Sequence, residues 1–459
     1  TEIYTLSLHD ALPISMICGY FYHLWSDCTM PVAFSEAAIT FREKLPETGL
    51  KADHPFFVLN LLEEIDQPGE WYYDCASGKL YWWKPEKLNR RADVVVSQWN
   101  KPFLTLKNVN HLSISGLIYE YGQQDGIQIA NSADIALVGC MLRRMGGTAL
   151  SALEMKNFTI YGNSFNTLGH AAMRIRGGDR KTLTSGNIVI ENNEVFGFAR
   201  RGRTYNPALF LDGCGTRVVH NRFHHGPSSA MRIEGNDHRI EYNLCDNLVT
   251  ESDDQGAIDM WCNVTYRGNV MRYNYWKDIG GGANIPCGQA AIRFDDAISG
   301  CLVYGNYFEN TSNGHFGGVQ IHGGQMNIID NNIFMDCATG VSFSTWGTKR
   351  WNEFLDRPAL QKMMADVQVD GELYRSRYPE LPISREKNDQ NSIWRNLFIN
   401  CGQTFARAPK TTDAACNQVF TETPRVQKIA ETSVFTMLPP RHQMGRYAND
   451  YLIENRLVR

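Results

Sequence analysis

The sequence predicts an all-β chain wound into a right-handed parallel β-helix, and three recurring features predict it. The first is a motif of Asn, any residue, then an apolar or aromatic residue, at Asn163, Asn193, Asn221, Asn243, Asn274, Asn306, Asn332 and Asn396. Through Asn332 the intervals are 30, 28, 22, 31, 32 and 26 residues, which suits one coil of a solenoid with loops of variable length. The second is a small residue followed by strict alternation, as in Ala172-Met-Arg-Ile-Arg-Gly177, Ala230-Met-Arg-Ile-Glu-Gly235 and Ala291-Ile-Arg-Phe-Asp-Asp296. The third is a short apolar strand just before each Asn, as in Asn187-Ile-Val-Ile190.

Equivalent positions of successive coils sit about 4.8 Å apart. Buried Asn amides at a corner can therefore hydrogen-bond from coil to coil, while Gly accepts backbone angles that a Cβ forbids. The asparagines read as structure, and the solenoid is expected over 101–402.

The flanks read differently. Residues 1–15 are expected to be foreign to the fold, because Thr1 to Ile14 read like a translated short-read sequencing adapter; the natural sequence would then start near Ser15 or Met16. Residues 16–100 lack the repeat and read as a β-rich segment, with aromatic strands around Trp71-Tyr-Tyr-Asp74 and Leu80-Tyr-Trp-Trp83. Helical periodicity in Trp351-Asn-Glu-Phe354 and Leu360-Gln-Lys-Met-Met364 marks an insertion over 346–390. Residues 403–459 carry no clear signal.

Composition narrows the function. The 459 residues carry a formal charge of -4, so the basic excess that nucleic acid or anionic lipid attracts is missing. No stretch approaches the ~20 apolar residues of a membrane span. The twelve cysteines lack CxxC or HxxxH metal spacing, so no metal site is expected. Cys140, Cys245, Cys337 and Cys401 read as small buried groups at matching points of the repeat, and the His224-His225 pair as corner residues. A secreted or periplasmic monomer is expected.

Strand register maps the surface. In each alternating unit the second and fourth residues are apolar and fill the core, so the third and fifth face outward. Over six coils, about 24 Å, they form two columns: Arg174, Phe210, Arg232, Asp259, Arg293, Gln320 and Arg176, Asp212, Glu234, Trp261, Asp295, His322. Aromatic rings suit sugar faces, and Arg, Asp and His suit hydroxyls and carboxylates. Arg176, Asp212, Arg232, Asp259, Trp261, Arg293 and His322 are thus candidate contacts to a polysaccharide. Asp254, at the lip before the Trp261 strand, Asp295 and Glu234 are the candidate catalytic acids, with Asp253 a turn cap. Neighbouring carboxylates repel, which raises one pKa and supplies an acid beside a base or nucleophile, as glycoside hydrolysis requires.

The runs Asp253-Asp254-Gln-Gly-Ala-Ile-Asp259, Arg267-Gly-Asn-Val-Met-Arg-Tyr-Asn274 and Ala291-Ile-Arg-Phe-Asp295-Asp296-Ala-Ile-Ser-Gly300 resemble the β-helix proteins of glycoside hydrolase family 141 and its relatives. Glu63-Glu-Ile-Asp-Gln-Pro-Gly-Glu-Trp-Tyr-Tyr-Asp74 and Leu80-Tyr-Trp-Trp-Lys-Pro85 resemble the segment before the helix in that group, and the likeness spans roughly residues 55 to 400. The resemblance implies removal of fucose or cleavage of xylan in plant cell-wall polysaccharides, with Asp254 and Asp295 as the catalytic pair and no cofactor. Many relatives carry Thr or Cys at Gln255 and Tyr at Asp259, which implies a different subsite. Two alternatives share the scaffold. One is a polysaccharide lyase, with Arg176, Arg232 or Arg293 as the base that takes the C5 proton of a uronate and Ca²⁺ in an acidic cluster; the other is a non-catalytic glycan-binding solenoid.

Overall fold

In the computed structural model, residues 3–7 (backbone), 15–35, 38–86, 94–282, 285–379 and 381–422 are described. The chain divides into two compact units, Thr1–Val96 and Ser97–Arg459. In the first, Met16–Gly19 lies between Cys28–Phe34 and Phe56–Leu59 in an antiparallel sheet, closed by Ile39–Phe41. A hairpin pairs Trp71–Asp74 with Lys79–Trp83, and Ile3–Ser7 adds a third antiparallel strand.

The second unit is a parallel β-helix. One coil is Leu209–Gly213, Arg217–Val219 and Arg222–Gly226; each strand pairs in parallel with its counterpart one coil on, Met231–Ile233, Arg239–Glu241 and Leu244–Leu248. Coils begin at Leu104–Lys107 and continue through Gln403–Ala406, Asp413–Ala415 and Gln418–Phe420, so the solenoid runs past residue 402 into the segment that gave no sequence signal. Those last strands are three or four residues long, too short for alternation to show against a loop. Residues 423–459 lie outside the described residues.

Alternation puts Met173, Ile175, Leu209, Leu211, Met231, Ile233, Ile258, Met260, Ile292, Phe294, Val319 and Ile321 into one continuous core. The residue two past each corner Asn joins it. Trp276, Phe308, Phe334 and Phe398 stack there from coil to coil, with centroids 6.4, 4.6 and 4.9 Å apart. The cysteines do not share one position: Cys140 heads the Asn corner, donating its backbone N–H to Asn163, and Cys245 lies in the aromatic stack next to Trp276. Of the four, Cys337 and Cys401 alone are coil neighbours.

The corner ladder is unbroken from Asn163 to Asn417. Asn221 shows the pattern: its backbone N–H and Nδ2 both donate to Asn243 Oδ1, at 2.9 and 3.0 Å. Asn243 in turn donates Nδ2–H to Val218 O and Glu241 O. Asn243→Ala therefore leaves the buried Asn221 N–H without its acceptor, while the Asn221 amide keeps Ile190 O and Val219 O and the Glu241 carbonyl keeps the His220 N–H. We expect about 1–3 kcal/mol of destabilisation, read as a lowered urea midpoint; a change under about 0.5 kcal/mol, the ordinary surface-substitution range, would discount the ladder. Gly235 shows why glycine ends the groove strands: at φ +104 an added Cβ would sit 2.1 Å from Gly213 O.

The insertion holds helices Gly347–Leu355, Pro358–Asp366 and Glu372–Arg377, and the coil resumes at Ser392–Trp394. Trp351, Phe354, Leu355 and Leu360 pack on Val264 and Ala297. Asp389 closes its base, accepting the N–H groups of Trp346 and Gly347.

Candidate active site

The pairing Arg232↔Asp259↔Arg293↔Gln320 and Trp261↔Asp295 places both columns on one sheet, as register requires. Exposure differs sharply along them. Arg176 lies near the open end, paired at 2.7 Å with Glu154, and Asp212 accepts its neighbour's backbone N–H from Gly213. Asp212 is three coils from Asp295, about 14 Å, so neither residue joins the acids downstream.

At the centre stands Arg293. Its Nη2 lies 2.7 Å from Asp254 Oδ1 and 2.9 Å from Asp295 Oδ2, while Nη1 lies 3.5 Å from Asp259 Oδ1. Asp259 is only 2% exposed and also meets Arg232 Nη1 at 3.0 Å. Arg293 is buried as well, with Phe316 5.5 Å from its guanidinium. Register predicts Asp259 and Arg293 as outward sugar contacts; both are buried, at 2% and 5% exposure, and so is Asp295 at 7%. Their side chains do point off the sheet, but loops cover them, so they form a buried ion network that holds other groups.

Loops deliver most of the accessible part, with Trp261 at the end of the strand Gln255–Trp261. Asp253 caps the turn as expected, accepting N–H bonds from Cys287 and Gly288, at 2.8 Å for the latter. With its neighbour tied down, Asp254 takes a left-handed φ of 55° and aims its carboxylate, 30% exposed, at Arg293. Glu251 is locked by a bidentate bond from Arg203, which joins this loop to the one carrying Tyr205. Tyr205 and Trp261 are 45% and 49% exposed, with their rings 5.7 and 5.5 Å from the Arg232 guanidinium. Trp261 Nε1–H donates to Asp296 at 3.1 Å. Two exposed aromatic faces thus flank the pocket, of which sequence register indicates only Trp261.

His322 donates Nδ1–H to Asp295 Oδ1 at 2.8 Å, and its Nε2 faces Arg350 from the helical insertion at 3.4 Å, which assigns the tautomer. Arg350 stacks on Trp346 and lies 3.8 Å from Asp296. Tyr205 and Arg350 escape the sequence reading because they sit outside the repeat, whereas Asp296 ends a repeat unit and reads there as the start of a turn. Asp295, Asp296 and His322 could together hold a cation, but Arg293 and Arg350 already supply positive charge to both aspartates.

The carboxyls are driven apart electrostatically. Burial raises Asp254, and the nearby Arg293 does not fully offset it. Burial also raises wholly enclosed Asp259, to about 6, against the pull of Arg232 and Arg293. Asp295 is desolvated too, yet Arg293 and His322 outweigh that and hold it below the usual carboxylate range. Glu234 is raised by burial, lies 3.8 Å from Arg232 and takes a long 3.4 Å bond from Tyr266. It stands two coils from Asp295, about 10 Å. One acid is thus shifted upward beside one shifted downward.

A family model described as "Right handed beta helix region" matches residues 207–356. The solenoid is right-handed. Among solved structures, a protein titled "Glycoside hydrolase" aligns at 10% identity and TM-score 0.48, covering 90% of this chain and 69% of its own. The catalytic domain of a GH87 alpha-1,3-glucanase in complex with nigerose aligns at 10% and 0.40, covering 91% and 88%. PfbA, a surface adhesin of Streptococcus pneumoniae, aligns at 11% and 0.40, covering 71% and 75%. Likeness at these identities speaks to fold alone. No curated protein sequence matches the chain.

Proposed function

We propose that the protein is a glycoside hydrolase acting on a complex polysaccharide, with Asp254 as general acid and Asp295 as the ionised base or nucleophile. The observation that carries this is the convergence of both aspartates on one Arg293 nitrogen. Bonds of 2.7 and 2.9 Å from a single atom cap the separation of those two oxygens at their sum, 5.6 Å. The opposite pKa directions fit these roles: the raised group is the better proton donor to the glycosidic oxygen, and the lowered group the better anion at the anomeric carbon. Asp254 and Asp295 are also the positions that the resemblance to glycoside hydrolase family 141 marks. Carboxyl groups about 5–5.5 Å apart act with retention and those about 6.5–9.5 Å apart with inversion; the cap on this oxygen pair lies below the inverting range, so we propose a retaining mechanism. Tyr205 and Trp261 supply stacking faces for the flanking sugars.

A lyase would need a base able to lose a proton near neutrality. Arg293 is shifted the other way, its charge held by three carboxylates, and Arg232 is shared between Asp259 and Glu234. The deciding test is incubation with plant cell-wall polysaccharides such as xylans, pectins and fucosylated fragments. The expected result is new reducing ends, with the first-formed anomer matching the substrate by NMR. Products absorbing in the near ultraviolet from a C4–C5 double bond would establish elimination and overturn the assignment.

A further inference from the structure

Away from the groove, strands Arg222–Gly226 and Leu244–Leu248 lie side by side with His224 opposite Asp246. His225 follows at the corner with φ 51°, a position that later coils fill with Asn247, Asp278, Asn310, Asp336 and Asn400, all left-handed. The corner explains the backbone of His225 but not its ring. Nδ1 of His224 and Nδ1 of His225 face each other at 2.7 Å. One ligand atom from each, with a carboxylate oxygen of Asp246, all lie within 4.8 Å of one another. At this distance one ring donates N–H to the other's lone pair, and the two nitrogens need to part by only about 0.6 Å to ligate one tetrahedral ion with bonds of about 2.05 Å.

We propose that His224, His225 and Asp246 form a site for a divalent transition ion of the Zn²⁺ type. Two imidazoles and a carboxylate are a borderline donor set that suits such an ion rather than Ca²⁺ or Mg²⁺. The surroundings are those of ligands held in place. Glu194 Oε1 lies 3.5 Å from His224 Nε2, a buried nitrogen with no tighter hydrogen-bond partner. Turned toward that carboxylate, Nε2 carries the proton and Nδ1 keeps its lone pair for the metal. Phe196 stacks on the His224 ring at 4.9 Å and fixes its plane. Arg222 Nε and Nη2 lie 3.2 and 3.4 Å from the two oxygens of Asp246 and orient it. Arg222 opposes a cation, but the two carboxylates against one guanidinium leave the cluster anionic. His225 is exposed and borders a cleft of about 240 Å³ with Phe198 and Pro227, which leaves the remaining coordination positions to water. Asp246 comes from the next coil, 21 residues beyond His225, so no linear metal motif announces the site.

The test is titration of the chelator-stripped full chain with Zn²⁺ or Co²⁺ alone, by calorimetry and by the visible cobalt bands. We expect one ion per chain, with affinity lowered at least 10-fold in His225→Asn and in Asp246→Asn, and 10- to 100-fold in Glu194→Gln. His225→Asn installs the residue that Asn247 already places at the next corner, so its melting in chelator should match the parent. Absence of binding to the parent chain overturns the site. Binding that persists in the His225→Asn/Asp246→Asn double variant overturns it too, by placing the ion elsewhere, at Asp295, Asp296 and His322 or at the exposed thiols of Cys75, Cys287 or Cys416.

Discussion

Asp295→Asn is expected to lower kcat on a polysaccharide by on the order of 10³-fold or more, and to lower the urea midpoint as well, because it removes a charge that Arg293 pairs. An amide keeps the shape, and its carbonyl oxygen still accepts from Arg293 or His322, but it cannot attack an anomeric carbon or take a proton from water. Asp254→Asn should differ in kind. Asp254 matters only as a proton donor, so the loss should be large on natural glycosides and much smaller on an aryl glycoside, whose leaving group departs without protonation. The pH profiles separate the roles further. Rate in the parent enzyme falls at low pH as Asp295, held below the usual carboxylate range, becomes protonated, and at high pH as Asp254, raised by burial, loses its proton. In Asp254→Asn the alkaline limb should vanish and the acid limb remain. Equal losses on both substrates, or an unchanged alkaline limb, would remove Asp254 from the role of acid.

The architecture was readable because the repeat writes it many times. Each Asn spacing and each alternating strand constrains the next, so the error at one coil is corrected by its neighbours, and the side of the sheet on which Glu234, Trp261, Asp295 and His322 stand follows from period two alone. Exposure was not readable, because it depends on loops that carry no period. Phe316 over Arg293 and the loop bearing Tyr205 turn an outward column into a buried one at Asp259 and Arg293. The same holds for Arg350, brought to Asp296 by a helical insertion whose packing on Val264 and Ala297 has no counterpart in the repeat. Asp253 and Asp254 illustrate the boundary. Their sequence neighbourhood marks a turn, yet only the backbone N–H groups of Cys287 and Gly288, 34 residues or more away, decide which of the two is spent on the turn.

Arg293→Met should show how far the pocket depends on a single charge. The side chain is buried and faces Asp254, Asp259 and Asp295; removing one partner of a buried ion network costs about 3–5 kcal/mol because the others are left uncompensated. The loss should depend on pH, in a direction the carboxyls fix. Asp295 is depressed when folded, so its contribution is in place above its unfolded value and disappears as pH falls through its folded one. Asp259 is raised to about 6, so ionising it costs stability between the unfolded carboxylate value of about 3.9 and that point. Without the guanidinium Asp295 loses its depression and Asp259 rises further. The gap between parent and variant should therefore close only as pH falls below the usual carboxylate range, stand partly open near pH 4 through Asp295, and be full by pH 8. Arg293→Lys should fall between them, since one ammonium cannot span three carboxylates as the planar fork does. Urea midpoints at the two pH values measure this, and an equal deficit at both would mean that Arg293 stabilises by filling space rather than by pairing charge.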